Sequence, residues 1–173
     1  GTLFLDEIGE ITPNMQAALL RVLETGEFRP VGSNRILAME CRIIAATNRD
    51  LPQEVQAGRF REDLFYRLRR LEIHLSPLSQ RKEDIAPLVS AFASRAADEE
   101  GKVVRGISRK ALDLLQAYDW PGNVRELQSE VHRAVLFCAS GGSLTDEHFG
   151  TVGWAVGRQV TTGPKVTPET SGE

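Results

Sequence analysis

Residues 1–26 read GTLFLDEIGEITPNMQAALLRVLETG, and this stretch decides the class of fold. Thr2 to Leu5 form a short apolar run that ends in the acidic pair Asp6 and Glu7, the pattern of a parallel strand whose carboxyl end carries function. A helix is predicted next. Thr12 can cap it and Pro13 suits its first turn. Met15, Ala18, Leu19, Val22 and Leu23 recur at helical spacing, and Gly26 stops it. Working outward, Phe28 to Arg35 contains Pro, Gly and Asn and reads as connection. Arg42 to Ala46 is a second apolar strand that runs into the polar group Thr47, Asn48, Arg49 and Asp50. A short helix from Pro52 to Gly58, another from about Arg61 to Leu68, and a third strand at Leu71 to Leu75 complete the alternation. Strands alternating with helices predict an α/β layer.

From Ser76 the character changes. Pro77 ends the strand, and helical patterns follow without any further strand. One helix is expected from about Lys82 to Glu100, with Ile85, Leu88, Val89, Phe92 and Ala96 on one face. Another follows Ser108 and carries Leu112 and Leu115. A third opens at Asn123, where Asn123 and Glu126 have the spacing of a capping box, and Leu127, Val131, Ala134, Val135 and Cys138 form its stripe. The expected organisation is a partial parallel sheet with flanking helices over 1–79, an all-α subdomain over 80–149, and a flexible tail or linker over 150–173, where Gly, Thr and Pro displace apolar periodicity.

Composition excludes several classes of function. A net charge of −3 with 26% charged residues shows no basic element of the kind that grips nucleic acid. Cys41 and Cys138 lie far apart in apolar segments and read as reduced core thiols. His74, His132 and His148 have no metal-ligand spacing. No apolar run approaches the roughly 20 residues needed to span a bilayer, so the expected location is the cytoplasm, with no membrane partner. The chain opens inside a strand without an initiator Met, and it is expected to be part of a longer protein.

The chemistry concentrates at strand ends. In a nucleotide hydrolase, a carboxylate in the position of Asp6 holds a magnesium ion through water, and its neighbour, here Glu7, polarises the attacking water. An apolar run followed by two acids is equally the signature of a solvated turn. Asn48 taken alone is a turn-forming amide. Arg61 and Arg67, with Arg59, Arg69 and Arg70 close by, make a basic helical face, and Arg125 in a first helical turn reads as a surface charge. The helix dipole disfavours a cation at Arg125, however, so an anionic partner is a reasonable inference.

The wider motifs select among these readings. GTLFLDEIGEITPNMQAALLRVLETGEFRPVGS, AATNRDL, GRFREDLFYRL, IHLSPLSQRKEDI and WPGNVREL together span about residues 1–140. They resemble, block by block, the sigma-54-interacting AAA+ ATPase domain of NtrC-type bacterial transcriptional activators, from the Walker B strand onward. The resemblance implies ATP and Mg2+ as cofactors. Asp6 is then the metal carboxylate and also a nucleotide-site residue, Glu7 the water-activating acid, and Asn48 the sensor I amide. Arg61 and Arg67 match arginine fingers that point at a neighbouring subunit's nucleotide, and Arg125 matches the sensor II arginine that reaches the nucleotide from the helical lid.

The implied partners are sigma-54 RNA polymerase and further copies of the chain in a ring, a hexamer in this reading. DNA would be met only through a separate domain, as in regulators of the two-component type. Neither a GxxxxGK(S/T) loop nor a GAFTGA loop occurs in the 173 residues. Both are expected upstream, and the isolated chain is expected to be inactive while its intact parent hydrolyses ATP. Ser79 stands where the family has a second basic residue near Arg81, and Ser129 where many members carry Asn. A non-hydrolysing regulatory or assembly module derived from the same family is the alternative.

Overall fold

The structure, a computed structural model, describes residues 1–161, with side chains to residue 157. It divides into two compact units, Gly1–His74 and a second that begins at Leu75.

In the first unit, β1 (Thr2–Leu5) pairs in parallel with β4 (Arg42–Ala45), Leu3 opposite Ile43 and Leu5 opposite Ala45. Helix α1 (Pro13–Thr25) lies between them in sequence, with the predicted ends. The Thr12 hydroxyl accepts from the Met15 amide, and Gly26 takes the left-handed conformation (φ 70°) that closes the helix at little steric cost. Its packed face is shifted from the predicted one, sharing Leu19 and Leu23 with it. Leu19, Leu20 and Leu23 pack on Phe60, Leu64 and Phe65, Gln16 is buried beside them, and Met15 is exposed. The connection after α1 contains a two-residue antiparallel pair, β2 (Glu27–Phe28) with β3 (Leu37–Ala38).

Two short helices follow: α2 (Leu51–Gln56), capped by the Asp50 carboxylate, and α3 (Glu62–Leu68), which packs on α1 and α2. The predicted third strand at Leu71–Leu75 is absent. Leu71, Ile73 and Leu75 alternate as a strand requires, yet among the described residues no backbone pairs with them, and all three are exposed. Alternation can propose a strand, but only a hydrogen-bonded neighbour makes one.

The second unit is mostly helical. Helices α4 (Ile85–Glu99), α5 (Arg109–Ala117) and α6 (Asn123–Phe137) enclose a core that includes Leu78, Ile85, Val89, Leu115, Trp120, Leu127 and Val131. Ser108 caps α5, as its position suggests. The unit also holds a parallel pair, β5 (Val104–Ile107) with β6 (Gly142–Leu144), where no strand was expected. Strands of four and three residues that include Gly106 and Gly142 are too short and too glycine-rich to show a two-residue period. The predicted flexible segment also begins differently. Residues Gly150–Thr161 form α7, and Phe149 and Val152 are buried in the core with Val156 against it. Its glycines hid the i, i+4 spacing of Val152 and Val156. Residues 162–173, the rest of that expectation, lie outside the described residues. Cys138 is buried and Cys41 half-buried, both as free thiols.

Lys102 closes the C-terminal end of α6. Its ammonium donates to the carbonyls of Val135 (3.1 Å), Leu136 and Cys138 (3.2 Å), groups that a helix end leaves unpaired. Lys102→Met keeps the stem and removes the three bonds. We expect a loss of about 1–2 kcal/mol, read as a thermal midpoint lowered by about 2–8 °C. An unchanged midpoint would show that water serves those carbonyls equally well.

Candidate functional site

The ladder between β1 and β4 continues past both strands. The Ala46 amide donates to the Leu5 carbonyl (2.8 Å), and the Ile8 amide donates to the Ala46 carbonyl (2.9 Å). These bonds hold the Asp6–Glu7 turn against the loop that carries Thr47 and Asn48. Gly9 permits the close approach, because a Cβ there would lie 2.7 Å from the Thr47 hydroxyl oxygen and 3.2 Å from the Arg49 side chain. Arg49 closes the loop from outside with an ion pair to Glu10 (2.9 Å).

Glu7 adopts the left-handed conformation (φ 53°, ψ 41°), uncommon for a residue with a side chain. Its amide is satisfied by the Asp6 carboxylate at 2.9 Å. The side chains of Glu7 and Asn48 are exposed and make no hydrogen bond among the described residues. Thus two carboxylates and one amide stand at the carboxyl end of a parallel pair; one oxygen of Asp6 accepts from the Glu7 amide, and the Glu7 and Asn48 side chains bind nothing among the described residues. One or two carboxylates suit a magnesium ion that keeps most of its water and takes its remaining ligands from phosphate. Among the described residues no group of three or more side chains converges as a dedicated metal cage.

Arg61 and Arg67 lie at the two ends of α3. Arg61 precedes it and forks onto Asp63 through Nε (3.0 Å) and Nη2 (2.7 Å). That pairing raises the guanidinium's pKa and holds the Asp63 carboxyl below its ordinary range, so the fork persists at neutral pH. Arg67 is half-buried, and its Nη2 donates to the Leu23 carbonyl in the last turn of α1 (3.0 Å). Nη1 of Arg61, and Nε and Nη1 of Arg67, remain for another acceptor. Neighbouring Arg59 is engaged otherwise, forked onto Glu54 at 2.7 and 2.8 Å.

Arg125 lies in the second unit, in the first turn of α6, exposed and without a hydrogen bond or ion pair to its side chain among the described residues. The turn before it differs from the predicted capping box. Glu126 reaches back to the Gly122 amide (2.8 Å) and accepts from the Tyr118 hydroxyl (3.2 Å), whereas the Asn123 amide oxygen accepts from the Leu78 amide (2.9 Å). No capping box forms: Gly122, which has no side chain, takes the cap position, and Asn123, with a positive φ of 53°, turns its amide oxygen to the Leu78 N–H instead. Trp120 also has a positive φ, 52°, strained for so bulky a residue, and it is held by burial and by its indole N–H to the Leu115 carbonyl (2.8 Å). Burial and the Glu126 carboxylate together raise the pKa of Tyr118. Beside Arg125, Val124 lines a groove of about 320 Å³ with Arg81, Asp84, Pro87 and Leu88, where Arg81 Nε is shielded from solvent without a partner among the described residues.

Sequence reasoning missed Gln16 and Lys102. A polar residue in register with Leu19, Leu20 and Leu23 was the available signal for Gln16, while Lys102 depends on contacts that no local pattern encodes.

The sigma-54 interaction domain matches residues 1–74, and the AAA+ ATPase lid domain matches residues 79–152. The transcriptional regulatory protein ZraR of Escherichia coli (strain K12) is 54% identical over 136 residues, which are 79% of this chain and 31% of that protein. The Nif-specific regulatory protein of Klebsiella pneumoniae is 50% identical over 141 residues, 82% of this chain and 27% of that protein. The chain therefore spans about a third or less of the length of these relatives. The crystal structure of NtrX from Brucella abortus in complex with ADP superposes with a TM-score of 0.78 at 34% identity, covering 86% of this chain and 35% of that one. The same protein in complex with ATP gives the same values.

Proposed function

The chain belongs to the family of sigma-54-dependent transcriptional activators, within its AAA+ domain, and on that footing we propose that its intact parent hydrolyses ATP to remodel RNA polymerase bound to sigma-54 in the cytoplasm. The observation that carries this reading is the placement of Asp6, Glu7 and Asn48 at the ends of β1 and β4, with the Glu7 and Asn48 side chains free of hydrogen bonds among the described residues.

In this mechanism Glu7 accepts a proton from the water that attacks the terminal phosphorus of ATP, and the Asn48 amide orients that water. Asp6 holds Mg2+ through water, and the ion, when bound, neutralises charge on the phosphate oxygens. Arg61 and Arg67 act on the nucleotide of a neighbouring copy in a ring, a hexamer in this proposal. Their remaining N–H groups stabilise the charge that builds on the phosphoryl oxygens. Asp63 and the Leu23 carbonyl limit the freedom of the two side chains beforehand. Arg125 contributes a further cation from the helical lid, its side chain exposed in the first turn of α6. The two units then correspond to a catalytic layer and a lid, with α7 packed into the core of the lid.

The test uses the intact parent with sigma-54 RNA polymerase on a closed promoter. Phosphate release and promoter opening that both require ATP are expected. Promoter opening without phosphate release, or neither, would favour a non-hydrolysing module.

A further inference from the structure

Gln16 is 1% exposed and is the buried polar residue of the described core. All of its hydrogen-bonding groups face the chain. Its amide nitrogen donates to the carbonyls of Ile11 (3.1 Å) and Arg59 (3.0 Å), and its amide oxygen accepts from the Arg61 backbone N–H (2.9 Å). Two carbonyls on one side and an N–H on the other admit only one orientation of the amide. The side chain is therefore a keyed connector between α1 and the residues that lead into α3.

What it connects is specific. Ile11 ends the turn that leaves the acid pair, five residues after Asp6 and four after Glu7. Arg59 and Arg61 bracket Phe60, which is buried against α1. Arg59 is itself fixed by its fork on Glu54 and by its amide to the Glu54 carbonyl (2.9 Å), so the segment that Gln16 grips is rigid. Seven residues further along α1, the Leu23 carbonyl holds Arg67. Helix α1 thus carries α3 at two points, one at each arginine, while its N-terminal end is tied to the acid turn.

We infer that Gln16 is a positioning residue for Arg61, and that through it the turn bearing Asp6 and Glu7 is mechanically joined to the arginines the same subunit presents to its neighbour. This rests on the reading of Arg61 and Arg67 as fingers acting in trans. Leucine at position 16 fills similar volume and leaves the Arg61 amide and two carbonyls without partners. Glutamate keeps an acceptor for Arg61 but sets a carboxylate oxygen against the carbonyls of Ile11 and Arg59.

The experiment uses mixed rings of the intact parent. One subunit type carries Arg67→Ala and hydrolyses only with a neighbour's fingers. The other has its phosphate-binding lysine replaced and serves only as a finger donor. Gln16→Leu in the donor is expected to lower the turnover recovered on mixing by about tenfold or more, with KM for ATP within about twofold. The same change in the hydrolysing subunit is expected to lower it no more than about twofold. If Gln16→Leu donors fail to assemble by light scattering, Gln16→Glu donors decide, with a several-fold loss confined to the donor side. An equal loss from either side, or no loss from the donor side, overturns the positioning role. Failure of the mixture to recover with Gln16 intact overturns instead the trans assignment on which it rests.

Discussion

Glu7→Gln in the intact parent is expected to lower ATP turnover by a hundredfold or more while leaving nucleotide affinity nearly unchanged. The substitution preserves volume and replaces a proton acceptor with an amide, so the loss measures general-base assistance, ordinarily worth about 10²–10⁴ in rate. Affinity should survive because Asp6 remains to hold the metal and the Glu7 side chain makes no hydrogen bond that the fold depends on among the described residues. The turn itself is kept by backbone bonds from Ala46 to Leu5 and from Ile8 to Ala46, which the substitution does not touch. Single-turnover phosphate release and equilibrium nucleotide binding on the same preparation separate the two effects. Turnover within about tenfold of the unsubstituted protein would remove Glu7 from the role of catalytic base.

Arg67→Ala should be the more severe change in a uniform ring, about a thousandfold in turnover, the scale on which an arginine finger operates. Its local structural cost is small by comparison. Arg67 gives one hydrogen bond to the Leu23 carbonyl, near the C-terminal end of α1, where water can replace it. Arg67→Lys separates charge from geometry, because an ammonium restores the charge without the planar fork and is expected to recover only a small part of the rate. Loss of folding or of assembly in either variant, measured by thermal unfolding and light scattering, would instead assign Arg67 to holding α1 and α3 together.

Much of this architecture was legible from local chemistry. Thr12, Pro13 and Gly26 delimit α1 because cap, first-turn and left-handed positions each demand particular residue types. β1 and β4 were readable because uninterrupted apolar runs ended abruptly in polar groups. The acid pair and Asn48 were readable with them, but their juxtaposition required the parallel register. Spacing inside the family motif FREDLFYRL, rather than composition, distinguished Arg61 and Arg67 from Arg59, and the structure adds that Arg59 is bound to Glu54.

Other features depend on who meets whom, which no local pattern states. Leu19 and Leu23 of the expected α1 stripe do pack inward, but Met15 and Ala18 are as apolar and stay exposed, and only contact with Phe60 and Leu64 selects the face containing Gln16. Asn123 looked like a cap because its backbone conformation was taken as ordinary. With φ positive, its amide is free to bind Leu78 instead, and Glu126 serves Gly122. The alternation at Leu71–Leu75 promised a strand that pairs with nothing among the described residues.

The central claim is that the acids of this chain serve one nucleotide and its arginines the next. The most direct measurement is phosphate release on mixing two inactive forms of the intact parent, Arg67→Ala and a variant with its phosphate-binding lysine replaced, across a range of ratios at concentrations where rings form and exchange. Mixed rings contain interfaces where an intact phosphate site meets an intact arginine, so turnover should reappear and peak at intermediate ratios. No recovery at any ratio, with mixed assembly verified, would contradict the claim and return Arg61 and Arg67 to a basic helical face.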